Sequence, residues 1–351
     1  MYEEIIKGIQ PLDANAMVNC KARFTQLAKP IYGLGKFEEV FMQIAGITKS
    51  SDICLAKKAL VVMCADHGVI DEGISQMNSH TTALMADQYN TGKAAACIMA
   101  KQAHVDVIPV DIGLKEEANI HSVKVMSGTD NIAKGPAMTI EVARETIELG
   151  IRIAIECKEK GYQILIAGEL GAGNTTSSTA LATVLLEEDV EHMTGTGMGL
   201  SFEGLKKKRD VIAKALQMNA SDKKEILETL AKLGGLEIAG LVGVYLGAAS
   251  CNIPIVIDGY ISAVAALVAS RLCPLIRSYI IPSHLSKEPG MELVLQRLVV
   301  TPFLTCDMNM GEGTGALALM PVFDMVQALY EEMNTFEELG MEPYKVFGCH
   351  S

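Results

Sequence analysis

Five short apolar runs, ALVVMCAD (59–66), VDVIPVD (105–111), YQILIAGE (162–169), IPIVIDG (253–259) and SYIIPSH (278–284), punctuate the chain, and each stops at glycine or a polar residue. Unbroken apolar runs of this length read as strands buried on both faces. Between them lie segments with helical period. In TIEVARETIELGIRIAIEC, Ile147, Ile151, Ala154 and Ile155 fall on one face, and Thr139 stands where an N-cap belongs. YISAVAALVASRL is apolar on most sides and stops before Pro274, as a buried helix does. The nearest thing to a membrane span, LEIAGLVGVYLGAASCNIPIVI, contains Glu237, Asn252 and Pro254 and breaks into a helix, a loop and a strand. Strands alternating with helices predict an α/β fold with a parallel sheet covered on both faces. Ligands of such a sheet bind beyond the carboxyl ends of its strands. The endings Asp66-His67-Gly68, Asp111-Ile112-Gly113, Gly168-Glu169, Asp258-Gly259-Tyr260 and Ser283-His284 are therefore candidates. Each alone reads as a turn or a helix cap; five on one edge point to a site.

Composition narrows the class. With 351 residues, 49% hydrophobic and 21% charged, the chain can bury a large core. A formal charge of −12 argues against nucleic-acid or anionic-membrane partners, while leaving room for a local positive site on a small anion. Nine cysteines without a CxxC pair read as reduced thiols, mostly core filler, in a cytoplasmic protein. The opening MYEEIIKGIQPLD carries acids where a secretory leader carries Lys or Arg, so no targeting segment is expected. His67, His80 and His284 lack ligand-like spacing, and neither a metal nor a cofactor is expected.

The richest ending is GELGAGNTTSSTAL (168–181), where Gly168, Gly171 and Gly173 precede Asn174-Thr175-Thr176 and a helical run. Backbone N–H groups at such a strand–loop–helix junction suit a phosphate. It is neither GxGxxG nor a Walker loop. A second glycine-rich stretch, TGTGMGL (194–200), precedes KKKR (206–209), which reads either as a solvated helix face or as counter-charge for that phosphate. MNMGEGTG (308–315) isolates Glu312 between Gly311 and Gly313, a carboxylate whose neighbours have almost no side chain of their own.

Taken in order, KPIYGLGKFE, ADHGVIDEGIS, GPAM, GELGAGNTTS, GTG, LGGLEIAGLVG, PIVIDGYISAVAAL, SHLSKEPG and MNMGEGTGALAL resemble the nicotinate-nucleotide:dimethylbenzimidazole phosphoribosyltransferases over nearly the whole chain. The resemblance implies a Rossmann-like parallel sheet (46–315) with a small helical domain from both chain ends (1–45 with 316–351), in a dimer. It implies transfer of 5-phosphoribosyl from nicotinate mononucleotide to an aromatic base for cobamide assembly. Glu312 falls on the family's general base and Glu169 on its second active-site acid. Ser75 and Met310 fall on the acceptor pocket. Gly171, Gly173, Asn174, Gly197, Lys208, Asp258, Gly259 and Ser286 fall around the ribose and phosphate, with Thr175 beside them in the same junction.

The implied chemistry is asymmetric. Nicotinate leaves a pyridinium nucleotide as a neutral ring, so only the acceptor's proton must be handled, unlike an inverting glycosidase with its acid and base. One true base and one electrostatic carboxylate are expected, the base with its pKa raised by desolvation. The chain departs from the family around the acceptor. GISQMN replaces GVSAYP, bringing Met77 and Asn78; Asn309-Met310 replaces Arg-Leu; YGLG replaces GSLG. These changes are also compatible with the branch that uses phenol or p-cresol as one subunit of a heterodimer. Two other readings compete: a non-catalytic partner subunit, against which both acids speak, and a nicotinamide-dependent dehydrogenase, which lacks its fingerprint.

Overall fold

The computed structural model describes residues 2–220 and 224–345; Cys349 lies outside the described residues. Six strands, β1 (Lys58–Ala65), β2 (Val105–Gly113), β3 (His121–Ser122), β4 (Ile164–Leu170), β5 (Ile255–Ile257) and β6 (Ile280–Pro282), form one sheet in the order β3-β2-β1-β4-β5-β6. Every pairing is parallel. All five apolar runs supply a strand. β3 escaped the sequence pattern because two exposed polar residues carry no period. β6 is clipped at Pro282, whose ring nitrogen cannot donate to a ladder.

Alternation along β1 sorts its side chains between two cores. Ala59, Val61, Met63 and Ala65 face one layer, whereas Leu60, Val62 and Cys64 face the other. In the first layer the helices Ile140–Glu159 and Leu236–Ser250 touch backbone to backbone. A methyl at Gly150 would strike the Gly240 carbonyl, and one at Gly243 would strike the Ile147 carbonyl. Glycine at the crossing lets a helix with apolar residues on every side bury itself entirely. Thr139 does cap the first of these helices, accepting the Val142 N–H. The apolar stretch from Leu236 divides as expected into the helix ending at Ser250 and β5, and the segment YISAVAALVASRL is the helix Tyr260–Leu272. No helix of the described residues is long and apolar enough to cross a membrane.

The second layer joins the two chain ends. The helices Ala14–Gln26, Lys36–Thr48 and Thr314–Glu332 bring Phe24, Phe41, Phe323 and Tyr330 into edge-to-face contact. Tyr2, at the start of the helix Tyr2–Gly8, packs instead into the layer holding Ile147. Of the eight described cysteines, all unpaired, four (Cys20, Cys64, Cys157, Cys273) are buried and two (Cys54, Cys306) are exposed. Cys97 and Cys251 are half-buried and pack against the two cores, so most of the described cysteines are core filler, as expected.

Candidate active site

A cavity of about 540 Å³ opens at the carboxyl edge of the sheet, beyond β4, β5 and β6. Glu169 and Leu170 come from the end of β4, Asp258 and Gly259 follow β5, and His284, Ser286 and Glu288 follow β6. Its size suits a small organic ligand. The endings of β1 and β2 do not line it. Asp66 and Asp111 instead hold turns, accepting the N–H groups of Lys115 and of Gly113 and Leu114. His67 is buried between Glu237 (Nε2 to Oε1, 2.8 Å) and Ser177 (Nδ1 to Oγ, 2.9 Å). Three of the five expected endings thus build the site, and the other two support it.

Glu312 sits on a turn of unusual backbone. Gly311, Glu312 and Gly313 have φ of 77°, 59° and 84°, three left-handed residues in succession. For glutamate this conformation costs on the order of 1–3 kcal/mol, strain that surrounding contacts must hold. Asp258 supplies two of them: Oδ2 accepts the Gly313 N–H and Oδ1 the Ala316 N–H, each at 3.0 Å. Thr314 Oγ1 closes the turn on the Gly311 carbonyl at 2.8 Å. The glycines therefore serve backbone conformation and packing more than open space around the carboxylate. A side chain at 313 would collide with Leu60, and one at 315 with the His284 ring.

Glu312 is 7% exposed. Burial lifts its pKa above the ordinary carboxylate value, the Tyr89 hydroxyl and the Ala96 N–H draw it down, and the Asp258 charge pushes it up. Tyr89 donates to Oε2 at 3.1 Å from the helix Ser79–Thr91. Glu169, 5% exposed, is close by: a side chain at Gly311 would begin 3.0 Å from its Oε1. Its pKa stands well above the usual value, first because it is desolvated and then because Glu237, Asp258 and Glu312 surround it. Asn174 Nδ2 donates to Glu169 Oε2 and partly opposes that rise.

Next to Glu169 a helix start and a buried ammonium meet, with Glu288 beside them. The helix Asn174–Leu186 begins at Gly173, itself left-handed at φ 92°. Its N-terminus carries the positive end of the helix dipole into the cavity beside Thr175. Lys208 is almost fully buried, its Nζ donating to Thr175 Oγ1 (2.9 Å) and the Gly195 carbonyl (3.2 Å). Burial pushes its pKa down to about 8, against the pull of Glu288. The KKKR run therefore divides: Lys206 and Lys207 are a solvated face and Lys208 points inward.

Of the residues singled out from sequence, Glu169, Gly171, Asn174, Thr175, Gly197, Asp258, Gly259, Ser286, Met77, Met310 and Glu312 line one cavity. Three stand behind it. Gly173 shapes the turn, Lys208 reaches Thr175, and Ser75 accepts the Met77 N–H at 3.1 Å. Asn78 is turned to another use, capping the helix that carries Tyr89 by accepting the Thr81 N–H. Sequence reasoning missed Tyr89 and Met85, which come from a helix with no motif of its own, and Met198, although its stretch TGTGMGL stood out. It also missed Glu288, although its segment SHLSKEPG stood out. Among the described residues no three His, Cys, Asp or Glu side chains are grouped as metal ligands.

A parallel sheet whose cleft brings a helix N-terminus and a buried ammonium together with the buried carboxylates of Glu169, Asp258 and Glu312 suits a group-transfer enzyme acting on a phosphorylated ligand. A family model described as phosphoribosyltransferase matches residues 9–341, and the chain belongs to that family. The nicotinate-nucleotide–dimethylbenzimidazole phosphoribosyltransferase of Acetivibrio thermocellus is 42% identical over 348 residues, covering 98% of this chain and 99% of its own. That of Ruminiclostridium cellulolyticum is 40% identical over 347 residues, again 98% and 99%. The crystal structure of CobT from Thermus thermophilus superposes with a TM-score of 0.88 at 34% identity, covering 94% of this chain and 100% of that one.

Proposed function

We propose that this phosphoribosyltransferase moves the 5-phosphoribosyl group of nicotinate mononucleotide to an aromatic base such as dimethylbenzimidazole, releasing nicotinate. The carrying observation is one cavity that brings a phosphate-suited helix start at Thr175, with Lys208 behind it, together with the carboxylates of Glu312 and Glu169. The names of the relatives supply the substrate pair.

In this reading the donor phosphate rests on the N–H groups after Gly173, with Gly197 and Lys208 beside it, and the ribose lies along Gly171, Gly259 and Ser286. Nicotinate departs as a neutral ring. The unprotonated ring nitrogen of the base attacks from the face opposite nicotinate while Glu312 accepts the proton from the other ring nitrogen, giving the neutral α-linked nucleotide. Desolvation makes Glu312 a stronger base than a free carboxylate, a gain general-base catalysis uses over roughly 10²–10⁴-fold in rate. Glu169, once ionised, favours positive charge developing on the ribose.

Met77, Met85 and Met310 border the acceptor side, and methionine adapts to rings of different outline. Phenol or p-cresol is therefore a second acceptor class within the same reading, giving an O-linked product. The reading includes a dimer of identical chains or with a paralogous subunit; its support is the exposure of the apolar side chains Met198 and Met310 at the cavity and of Phe202 (61%, 61% and 78% exposed), which a second chain would cover. It also divides the chain at 46–315 and at 1–45 with 316–351, supported by the aromatic contacts joining the two ends. A cytoplasmic setting accords with eight unpaired thiols.

Incubating the chain with nicotinate mononucleotide and, in parallel, dimethylbenzimidazole, adenine, phenol and p-cresol, with products resolved by mass, tests the proposal. A base nucleotide is the expected product. Preference for phenols moves the assignment to the second class, and no product with any acceptor, alone or with a paralogue, defeats it.

A further inference from the structure

Asp258 lies on the cavity wall, where its family position suggests a ribose hydroxyl as its partner, yet both of its oxygens are already engaged. Oδ2 takes the Gly313 N–H and Oδ1 the Ala316 N–H, each at 3.0 Å, and the whole residue is 2% exposed. These donors flank the first turn of the helix Thr314–Glu332. A carboxylate bridging two N–H groups at a helix start satisfies two otherwise orphaned donors and complements the helix dipole. The residue immediately before this clamp is Glu312, non-glycine and left-handed at φ 59°.

We infer that Asp258 is a positioning residue for Glu312: it holds the strained turn closed and sets a negative charge beside the base, each of its oxygens committed to one amide of the turn. This rests on the proposed role of Glu312 as base. Mechanically, the clamp joins the end of β5 to the turn, so the carboxylate of Glu312 is registered against the sheet that carries Glu169. Electrostatically, the groups facing Glu312 are Tyr89 from one helix, Cys97 and the Ala96 N–H from the next, Glu169 and Cys64 from the strand ends, and Asp258 itself. His284 packs on Gly315 just beyond. Asp258 pushes the Glu312 pKa upward. Removing its charge, and letting water reach a loosened turn, both lower that pKa.

Asp258→Asn keeps shape and one acceptor while removing the charge and setting an amide against an N–H. It should lower kcat on the order of 10- to 100-fold, the scale of a small misplacement of a reacting group. The donor KM should change less than about threefold, since a lost ribose contact would instead raise it by the tenfold or more of a hydrogen bond to a charged group. The acid limb of the kcat profile should move to lower pH. Amide exchange at Gly313 and Ala316 should quicken in the variant, a readout independent of catalysis that holds whether or not Glu312 is the base. A complex of the unaltered chain with nicotinate mononucleotide adds a test needing no variant: Asp258 should keep both amide contacts. A raised donor KM with unchanged kcat and exchange, or a complex in which Asp258 leaves the amides for a ribose hydroxyl, overturns the inference. Loss of turnover in Glu312→Gln without these changes in Asp258→Asn would leave the base assignment standing and the positioning role refuted.

Discussion

Tyr89 Oη lies 3.1 Å from Glu312 Oε2, so this buried carboxylate is met by a phenol whose own pKa burial drives far upward. The hydroxyl is thus a permanent donor and favours ionised Glu312. Tyr89→Phe removes it and raises the Glu312 pKa further. A base acts only above its pKa, so the acid limb of kcat should shift to higher pH, by about one unit for a hydrogen bond to a charged group. On the acid side of that limb the variant should be several-fold slower, about 3- to 10-fold, while at high pH the difference narrows. A profile that keeps its limb would place the base elsewhere.

Lys208 should govern the donor more than the chemistry. Lys208→Met should raise the donor KM on the order of 10- to 100-fold, the worth of a charge-assisted contact to phosphate, with a smaller change in kcat. In the native chain donor affinity should fall as pH rises through about 8, where the buried ammonium loses its proton. The stability sign is the reverse. Because the folded pKa lies below that of free lysine, the charged group opposes folding below about 8, and this cost fades as pH climbs towards 10.5. Thermal midpoints across that window should therefore rise in the native chain relative to Lys208→Met.

Gly313→Ala should unsettle the base without touching a polar group. The position has φ 84°, and a methyl there collides with Leu60, so a loss of about 2 kcal/mol is expected together with a fall in kcat. Denaturant unfolding and steady-state kinetics on the same preparation check both. An alanine variant as stable and active as the parent would contradict the strained-turn account.

The parallel sheet and its ligand-bearing edge were legible because buried parallel strands write themselves as apolar runs. Glu169 and Asn174 were legible too, since a strand end followed by glycines and a helix is a local pattern. What stayed hidden depends on distant contact. Tyr89 is 223 residues from Glu312 and belongs to a helix whose face carries no motif. Asn78 looked like an acceptor residue and is a helix cap. The glycines around Glu312 suggested open space, whereas they answer to positive φ and to Leu60 and His284, partners no local sequence window contains.

Acceptor choice should respond to Met77 and Met310 separately from the donor. Met310→Ala, at a position 61% exposed on the rim, should change acceptor KM several-fold, about 3- to 10-fold for a truncated apolar contact, and leave the donor KM as it was. Competition between dimethylbenzimidazole and p-cresol in one reaction reads the change directly. An equal effect on both substrates would show that this edge is structural.

The base itself is tested by Glu312→Gln, assayed with nicotinate mononucleotide and whichever acceptor the native chain uses best, with donor binding measured alongside. The account predicts that turnover falls by about 10²-fold or more and that donor affinity and the folded state persist. Near-native turnover in that variant would contradict it.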